Sequence, residues 1–300
     1  MNKADSPTPP LAANTTIAHI ETGRHLYGGA QQVVYLLNGL AKRGVNNLLI
    51  APHDSAISKA FAANTELHNR IKVITTRHAG DLSWGFYREV KQILAREPVD
   101  LVHIHSRRGA DTLGGLAAKA NKIPALLSRR VDNPEHPLAI RFKYSLYRQV
   151  IGISQAICDV LISQGVTPEK INCVHSSVDT TRFASDTQSR QVARASLAAQ
   201  FDIPDDHLLL AVVAQLIPRK GHKHLLAVMP ELLKQHPKTS LVIFGQGPEQ
   251  QAIAQQIQTL QLSNNVQLAG FCPNLDDDLS GIDLIVHPAE KEGLGVALLK

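Results

Sequence analysis

The feature that most constrains this chain is a repeated alternation of short aliphatic segments with longer amphipathic ones. The aliphatic segments include TTIAHIE at residues 15–21, DLVHIH at 100–105 and HLLLAVVA at 207–214. Short, nearly continuous apolar runs of this kind are typical of strands buried on both faces. The amphipathic segments, such as residues 30–43 and 84–96, are long enough to be crossover helices. The alternation therefore predicts an α/β fold with doubly wound parallel sheets.

The alternation is interrupted once, by a polar stretch at residues 180–190 that has no strand signal. A chain of 300 residues also reaches the size at which a single hydrophobic core usually stops growing. We therefore predict a flexible tail at residues 1–14, an N-terminal Rossmann-like domain at 15–180 and a C-terminal one at 181–300. The second series of strands ends early, so we expect the C-terminal domain to be incomplete in this chain, which we interpret as C-terminally truncated.

Composition excludes several classes of protein. No apolar run approaches the roughly 20 residues of a membrane-spanning helix, and the N-terminus lacks the apolar core of a secretion signal, so we expect a cytoplasmic protein. Cys158, Cys173 and Cys272 are far apart in the sequence, which argues against a disulfide framework and a zinc site and favours buried thiols.

The net charge of +5 suits phosphorylated ligands, anionic lipid surfaces or nucleic acid. Aromatic residues make up only 4% of the chain and form no cluster with basic residues, so we expect no nucleic-acid partner. The basic segments at residues 129–130 and 141–148 are candidates for a peripheral contact with an anionic membrane, and for residues 141–148 a solvated helix face is the alternative.

A basic turn follows the strand predicted at residues 207–214. Pro218, Arg219 and Lys220 form a short loop, and Gly221 opens an amphipathic helix. Open α/β sheets bind ligands at the carboxyl ends of their strands, and helix N-termini with adjacent cations suit a diphosphate. Spacing alone leaves a second interpretation open, an exposed basic turn.

Two features of the N-terminal half invite a similar interpretation. Gly28 and Gly29 lie between the first strand and the first helix, where backbone could approach a ligand, although an ordinary turn fits equally well. His103 and His105 project to the same side of a strand if its period is two, and could hydrogen-bond a substrate hydroxyl. They could also form the edge of a metal site, but no third ligand of suitable spacing accompanies them, so we expect no metal.

Two acidic segments in the C-terminal half differ in what they predict. Asp276, Asp277 and Asp278 are reminiscent of metal-binding DxD motifs, but they precede a short helical stretch, and we interpret them as helix caps. Glu292 lies in a glycine-flanked loop after the last strand, where a carboxylate could accept hydrogen bonds from sugar hydroxyls. A loop glutamate in water is the alternative.

In combination, these segments resemble the family 4 glycosyltransferases. The resemblance covers nearly the whole chain and is carried by the ordered motifs LIPRKGHKHLL, FGQGPEQQ and HPAEKEGLGVALL, together with the passage from Val150 to Phe183. It implies the GT-B fold of two facing Rossmann-like domains. It also implies transfer of a sugar from a nucleotide-diphosphate donor with retention of anomeric configuration, without a metal or other cofactor.

The resemblance assigns roles to individual residues. His105 would match the histidine that contacts the transferred sugar, Lys220 the lysine that binds the donor diphosphate, and Glu292 the first glutamate of a Glu-x7-Glu motif that holds sugar hydroxyls. The other residues assigned to the donor side are Gly28, Gly29, Gln215, Arg219, Gly293, Leu294 and Gly295.

This chain departs from the family pattern at two positions. Gln215 stands where the family usually has a diphosphate-binding arginine, for which the adjacent Arg219 is a candidate substitute. Lys300 stands where the second glutamate of Glu-x7-Glu belongs. The resemblance implies a saccharide or lipid-linked acceptor in cell-envelope polysaccharide or lipopolysaccharide synthesis. The alternatives are a sugar-nucleotide epimerase of GT-B-like fold and a catalytically degenerate nucleotide-sugar-binding module.

Overall fold

The computed structural model describes residues 14–300 apart from residues 27, 64–68, 79–82, 107–108, 134, 184, 273, 291 and 293. The predicted tail therefore lies almost wholly outside the described residues. Two units are present, and the chain passes from the first to the second after Ser176, close to the predicted boundary at residue 180. Each unit is an α/β domain in which every strand pair is parallel.

The N-terminal domain contains a seven-stranded sheet of order β3-β2-β1-β4-β5-β6-β7. Its strands are β1 (Thr16–Ile20), β2 (Asn46–Pro52), β3 (Ile71–Thr76), β4 (Leu101–Ile104), β5 (Ala125–Arg129), β6 (Gln149–Gly152) and β7 (Ile171–Cys173). The helices between them are α1 (Gly28–Lys42), α2 (Ala56–Ala63), α3 (Trp84–Arg96), α4 (Ala110–Ala120), α5 (Pro137–Ser145) and α6 (Gln155–Ser163). The order of the strands reverses direction between β1 and β4, which makes this pair the topological switch point of the sheet.

The C-terminal domain contains a four-stranded sheet of order β10-β9-β8-β11. Its strands are β8 (Leu208–Val213), β9 (Thr239–Phe244), β10 (Val266–Gly270) and β11 (Leu284–Ile285). Its helices are α7 (Thr187–Phe201), α8 (His222–Gln235), α9 (Gln250–Thr259) and α10 (Leu275–Asp278). The switch point of this sheet lies between β8 and β11.

The strands of the C-terminal sheet are apolar because both faces are covered. Leu210 and Val212 of β8 belong to a core cluster that includes Leu226 and Met229 of α8. Residues of β8 on the opposite face, such as Leu209, pack instead into a cluster with side chains of α7. Alternate residues thus enter different cores, which explains why a near-continuous aliphatic run forms a strand here.

Two expectations from the sequence are wrong in part. Cys158 is buried as expected, but Cys173 is exposed because it lies on β7, the edge strand of its sheet. For residues 276–278 the predicted side-chain cap is wrong, since α10 begins after Asn274 and no side chain caps it, but all three aspartates do lie in its first turn, where a negative charge favours the helix N-terminus. Asp276 instead accepts a hydrogen bond of 2.7 Å from Lys300.

None of the helices in the described parts of the chain is long and apolar enough to cross a bilayer.

Candidate functional site

Three loops meet at the carboxyl edge of the C-terminal sheet. They follow β8, β9 and β11, and backbone hydrogen bonds join them in pairs: Leu216 N donates to Gln246 O at 3.1 Å, and Glu290 N donates to Arg219 O at 3.0 Å. The loops therefore support one another at the switch point between β8 and β11, where open α/β sheets bind ligands.

Glycines allow these loops to approach so closely. Gly221 has a φ of 73°, and a Cβ built on it would lie 2.0 Å from the carbonyl oxygen of Pro288. A Cβ on Gly245 would lie 1.9 Å from the carbonyl oxygen of Ala214. Any side chain at either position would force the backbone apart, so the approach of the loops depends on glycine.

The close approach brings Lys220 and Glu292 into direct contact, although they come from different loops. The Lys220 ammonium donates a hydrogen bond to Oε2 of Glu292, and Nε2 of His287 lies 2.9 Å from the same oxygen. The Lys220 side chain is only 11% exposed, so water screens this pair less than a surface ion pair. The neighbouring His222 has a lowered pKa because of burial, with smaller contributions from Lys220 and His287. The cluster thus combines fixed positive charge with a carboxylate acceptor.

Four more of the predicted donor-side residues, Gln215, Arg219, Leu294 and Gly295, lie on the same two loops. Gln215 is exposed on the loop after β8, and Arg219 and Leu294 are partly exposed. Gly295 has a φ of 67°, a conformation that favours glycine. Gly293 lies outside the described residues.

At the switch point of the N-terminal sheet, three buried histidines lie together. His103 and His105 of the β4 region do face the same side, with ring centroids 3.9 Å apart. His19 of β1 is in register with His103 and joins them from the neighbouring strand. Their exposed fractions are 0% for His19, 7% for His103 and 4% for His105.

A chain of polar contacts links these histidines to the sheet. Nδ1 of His19 lies 3.1 Å from Nε2 of His105, and Nε2 of His19 lies 3.2 Å from Oδ1 of Asn47. His103 contacts the Ser128 hydroxyl at 2.8 Å. Burial lowers the pKa of His19 to about 4 and the pKa of His103 and His105 well below its usual value. All three imidazoles are therefore neutral near physiological pH.

The cluster corrects one sequence-based expectation. Nitrogen atoms of His19, His103 and His105 lie within 4.8 Å of one another, so a third potential metal ligand does accompany the two predicted histidines. The spacing of residues in the sequence does not reveal this third ligand, because His19 belongs to another strand. The strand order of a doubly wound sheet, which places β1 beside β4, is the signal that would have found it.

A second polar group at this edge was also missed. Glu21 accepts a hydrogen bond of 2.8 Å from Gly23 N through Oε1, and Ser106 donates its hydroxyl to the same atom. Both residues closely follow β1 and β4, so their position after two neighbouring strands was the available signal. They stabilise the turn that leads from β1 toward α1.

The predicted glycines at the start of α1, unlike Gly221 and Gly245 of the C-terminal domain, have room for a side chain. A Cβ on Gly28 would meet no atom within 4 Å, and one on Gly29 would make only an ordinary contact of 3.5 Å with Arg130. Neither glycine has a positive φ. Packing among the described residues therefore does not require glycine at either position.

Comparison with known proteins identifies relatives of both domains. Residues 27–182 match the model of "Glycosyltransferase Family 4", and residues 194–300 match that of "Glycosyl transferases group 1". The chain is 25% identical over 205 residues to one of the subunits of phosphatidylinositol N-acetylglucosaminyltransferase from Arabidopsis thaliana, a match that covers 64% of this chain and 42% of that protein. It thus spans less than half the length of that relative.

A shorter match involves a bacterial enzyme. Over 121 residues the chain is 29% identical to a GDP-mannose-dependent alpha-(1-6)-phosphatidylinositol monomannoside mannosyltransferase of Mycolicibacterium smegmatis, covering 40% of this chain and 30% of that protein.

Solved structures share the fold. A glycosyltransferase from Rickettsia africae superposes with a TM-score of 0.77 at 17% identity, over 95% of this chain and 76% of that one. Anabaena HepE, solved in complex with UDP and glucose, gives a TM-score of 0.74 at 19% identity, over 92% of this chain and 74% of that one. The predicted α/β fold of the GT-B type is thereby confirmed. Because the first family model covers more than half of its residues, the chain belongs to glycosyltransferase family 4.

Proposed function

We propose that this protein is a retaining glycosyltransferase that moves a sugar from a nucleotide-diphosphate donor to a saccharide or lipid-linked acceptor. The observation that carries this proposal is the contact between Lys220 and Glu292 at the carboxyl edge of the C-terminal sheet, in a chain of this family. A cation for the leaving diphosphate and a carboxylate for sugar hydroxyls are thereby held side by side.

The C-terminal cluster would act mainly through electrostatics. As the bond to the sugar breaks, negative charge accumulates on the nucleotide diphosphate, and the ammonium of Lys220 stabilises it. Glu292 accepts hydrogen bonds from hydroxyls of the transferred sugar and thereby orients it. In the free protein these two groups neutralise each other, so donor binding replaces their ion pair with phosphate and hydroxyl contacts. No step in this scheme requires a metal ion.

In the N-terminal domain, His105 would contact a hydroxyl of the transferred sugar. The open space beside Gly28 supports an approach of the donor to the backbone there, because packing among the described residues does not require a glycine. Neutral imidazole suits this role, since a hydroxyl can donate its hydrogen to the unprotonated ring nitrogen.

Gln215 and Lys300 would make the donor site differ from the family pattern. Gln215 is exposed near Lys220 in the sequence and offers amide hydrogen bonds where an arginine would offer charge. Lys300 is held by Asp276 at 2.7 Å and lies 5.6 Å from the ring centroid of Phe183. An ammonium only donates hydrogen bonds, so Lys300 cannot accept from a ribose hydroxyl as the glutamate of the family pattern would.

The acceptor would belong to cell-envelope polysaccharide or lipopolysaccharide synthesis, at the inner face of the cytoplasmic membrane. Helix α5 supports a peripheral membrane contact, because Leu138 and Phe142 are 76% and 52% exposed one helical turn apart. Arg141 and Arg148 are exposed close by in the sequence and would attract anionic headgroups.

Donor-dependent turnover tests the proposed reaction. Purified protein is incubated with UDP, GDP and ADP sugars and candidate acceptors, and release of nucleoside diphosphate is measured. We expect release with one donor and only when an acceptor is present, and loss of that release in Lys220→Ala. Interconversion of free sugar nucleotides without an acceptor would instead show an epimerase, and donor binding without any turnover would show a degenerate binding module.

Vesicle flotation tests the membrane contact. The protein is expected to float with vesicles that contain phosphatidylglycerol and to remain in solution with neutral phosphatidylcholine vesicles. Leu138→Asp combined with Phe142→Asp should abolish flotation, because charged side chains would replace the apolar contacts. Val228→Asp is the matched control, since Val228 is an apolar residue 57% exposed in the C-terminal domain. Equal flotation of all three proteins would refute the contact.

A further inference from the structure

The side chain of Asn47 has a defined orientation that fixes the protons of the histidine cluster. Its Nδ2 lies 2.9 Å from the carbonyl oxygen of Val45 and 3.3 Å from that of Arg70. Only an amide nitrogen can donate to two carbonyl oxygens, and a flipped amide would place three oxygens against one another. Oδ1 of Asn47 therefore faces Nε2 of His19.

Proton positions follow along the chain of contacts. Because Oδ1 of Asn47 only accepts, Nε2 of His19 carries the hydrogen. Burial keeps His19 neutral, so its Nδ1 is an acceptor, and Nε2 of His105 must donate to it across 3.1 Å. His105 is also neutral, because burial and the nearby His103, His19 and Arg130 all lower its pKa. Its hydrogen is therefore on Nε2, and its Nδ1 carries a free lone pair.

That lone pair has no partner among the residues that the structure describes. Nδ1 of His105 is buried and has no hydrogen-bond partner in the described parts of the chain. A buried polar atom without a partner is costly, and one at the switch point of an α/β sheet is well placed to meet a ligand group.

We propose that Asn47 and His19 are positioning residues that hold His105 as its Nε2–H tautomer, so that Nδ1 accepts a hydrogen bond from a hydroxyl of the transferred sugar. The sugar as ligand rests on the function proposed above, whereas the tautomer is a property of the free protein. This chain of contacts, which we call the relay, runs from the amino-terminal part of β2 through His19 of β1 to His105, which directly follows β4 at the carboxyl edge of the sheet.

A metal ion would use the same histidines but fits the surroundings less well. Metal binding to His19 Nδ1 and His105 Nε2 would replace their mutual hydrogen bond and move a hydrogen onto Nδ1 of His105, where no acceptor is present among the described residues. The positive charge of Arg130, which already lowers the pKa of His103 and His105, would also oppose a cation. The contacts therefore favour the relay.

Nitrogen-15 NMR of the histidine rings tests the relay in the full chain without any donor. The His105 signals are assigned by their loss in His105→Gln. We expect the neutral Nε2–H tautomer in the wild type and in His19→Asn, since the amide oxygen of asparagine can take the place of Nδ1. His19→Leu should give a mixture of tautomers. Ser128→Ala, which removes the partner of His103 only, should leave His105 unchanged.

Three results would overturn the relay. They are an Nδ1–H or charged His105 in the wild type, an unchanged tautomer in His19→Leu, and a shift of all three ring signals when Zn²⁺ is added at equimolar concentration, which would identify a metal site instead. If His19→Leu fails to fold, the wild-type spectrum and the Zn²⁺ titration still decide the question.

Kinetics then connect the tautomer to the sugar. We expect kcat to fall about tenfold in His19→Leu, because one hydrogen bond to the sugar is misdirected. In His19→Asn, which restores that hydrogen bond, we expect kcat to lie within about twofold of the wild-type value. The KM for the acceptor should not change in either variant. Equal loss of kcat in both variants would reject the positioning role. Absence of turnover in the wild type would count against the proposed function while leaving the NMR result intact.

Discussion

The two domains place polar clusters at equivalent positions and give them opposite electrostatic character. In the N-terminal domain the cluster lies between β1 and β4, is buried, and consists of neutral imidazoles. In the C-terminal domain it lies between β8 and β11 and contains a partly exposed ion pair between Lys220 and Glu292. Topology therefore determines where each cluster lies, whereas the residue types and their partners determine whether the cluster carries charge.

The difference has a simple physical cause. His19 and His103 project from the strands themselves, so desolvation disfavours their protonated forms. Lys220 projects from a loop after its strand, where it forms an ion pair with the carboxylate of Glu292. A neutral cluster suits hydroxyls and a charged one suits phosphate, which is the division of roles that the proposed function requires.

The largest expected effect is that of Gly221→Ala in the C-terminal domain. The added Cβ would clash with the carbonyl oxygen of Pro288, and the left-handed backbone would be strained. We expect a loss of about 2 to 5 kcal/mol in the free energy of unfolding, measured by urea denaturation. An unchanged midpoint would show that the loops do not depend on this close approach.

The second-largest expected effect is a loss of stability in acid, caused by the histidine cluster of the N-terminal domain. The pKa of His19 is lowered to about 4 in the folded protein from 6.5. Between these values the unfolded chain binds a proton that the folded protein does not, so stability is full above pH 6.5 and is lost as pH falls toward 4. We expect this histidine to contribute about 3 kcal/mol of that loss.

Urea denaturation at several pH values measures the acid effect, with His19→Asn as the comparison. This variant cannot titrate at position 19, so its stability should fall less steeply in the same interval. Parallel curves for the two proteins would mean that His19 is not buried as a neutral ring.

Lys220→Ala should weaken donor binding without unfolding the domain. Loss of a charge-assisted hydrogen bond to phosphate costs about 1.5 to 3 kcal/mol, or about 10- to 100-fold in affinity. Calorimetric titration with the preferred sugar nucleotide measures it. His105→Ala provides the contrast, because we expect its turnover to fall more than its donor affinity. Full affinity in Lys220→Ala would remove this residue from the diphosphate site.

The smallest expected effect is the change in stability of Gly28→Ala. Because a Cβ there meets nothing within 4 Å, we expect the free energy of unfolding to change by less than about 0.5 kcal/mol. Donor affinity should nevertheless fall if the backbone of Gly28 approaches the donor. Denaturation and titration on the same preparation separate the two quantities, and a strongly destabilised variant would contradict the contrast with Gly221.

Much of the fold could be predicted from the sequence, because it depends on local periodicity. Strands β1, β4 and β8 and helix α3 lie close to where their apolar patterns place them. The motif around Lys220 and the loop with Glu292 were also visible, since strand, loop and helix follow one another along the chain. What the sequence could not show is that these two side chains touch, because 72 residues separate them.

The histidine cluster was decided by tertiary structure alone. His103 and His105 were identified by their spacing along one strand, but His19 lies 86 residues from His105 and Asn47 belongs to a third strand. Parallel pairing in the order β3-β2-β1-β4 brings them together. The sequence by itself thus determined which elements form and which residue types end each strand. Only the packed sheet determined which side chains lose their water. This desolvation makes the imidazoles neutral and leaves Nδ1 of His105 without a partner among the described residues.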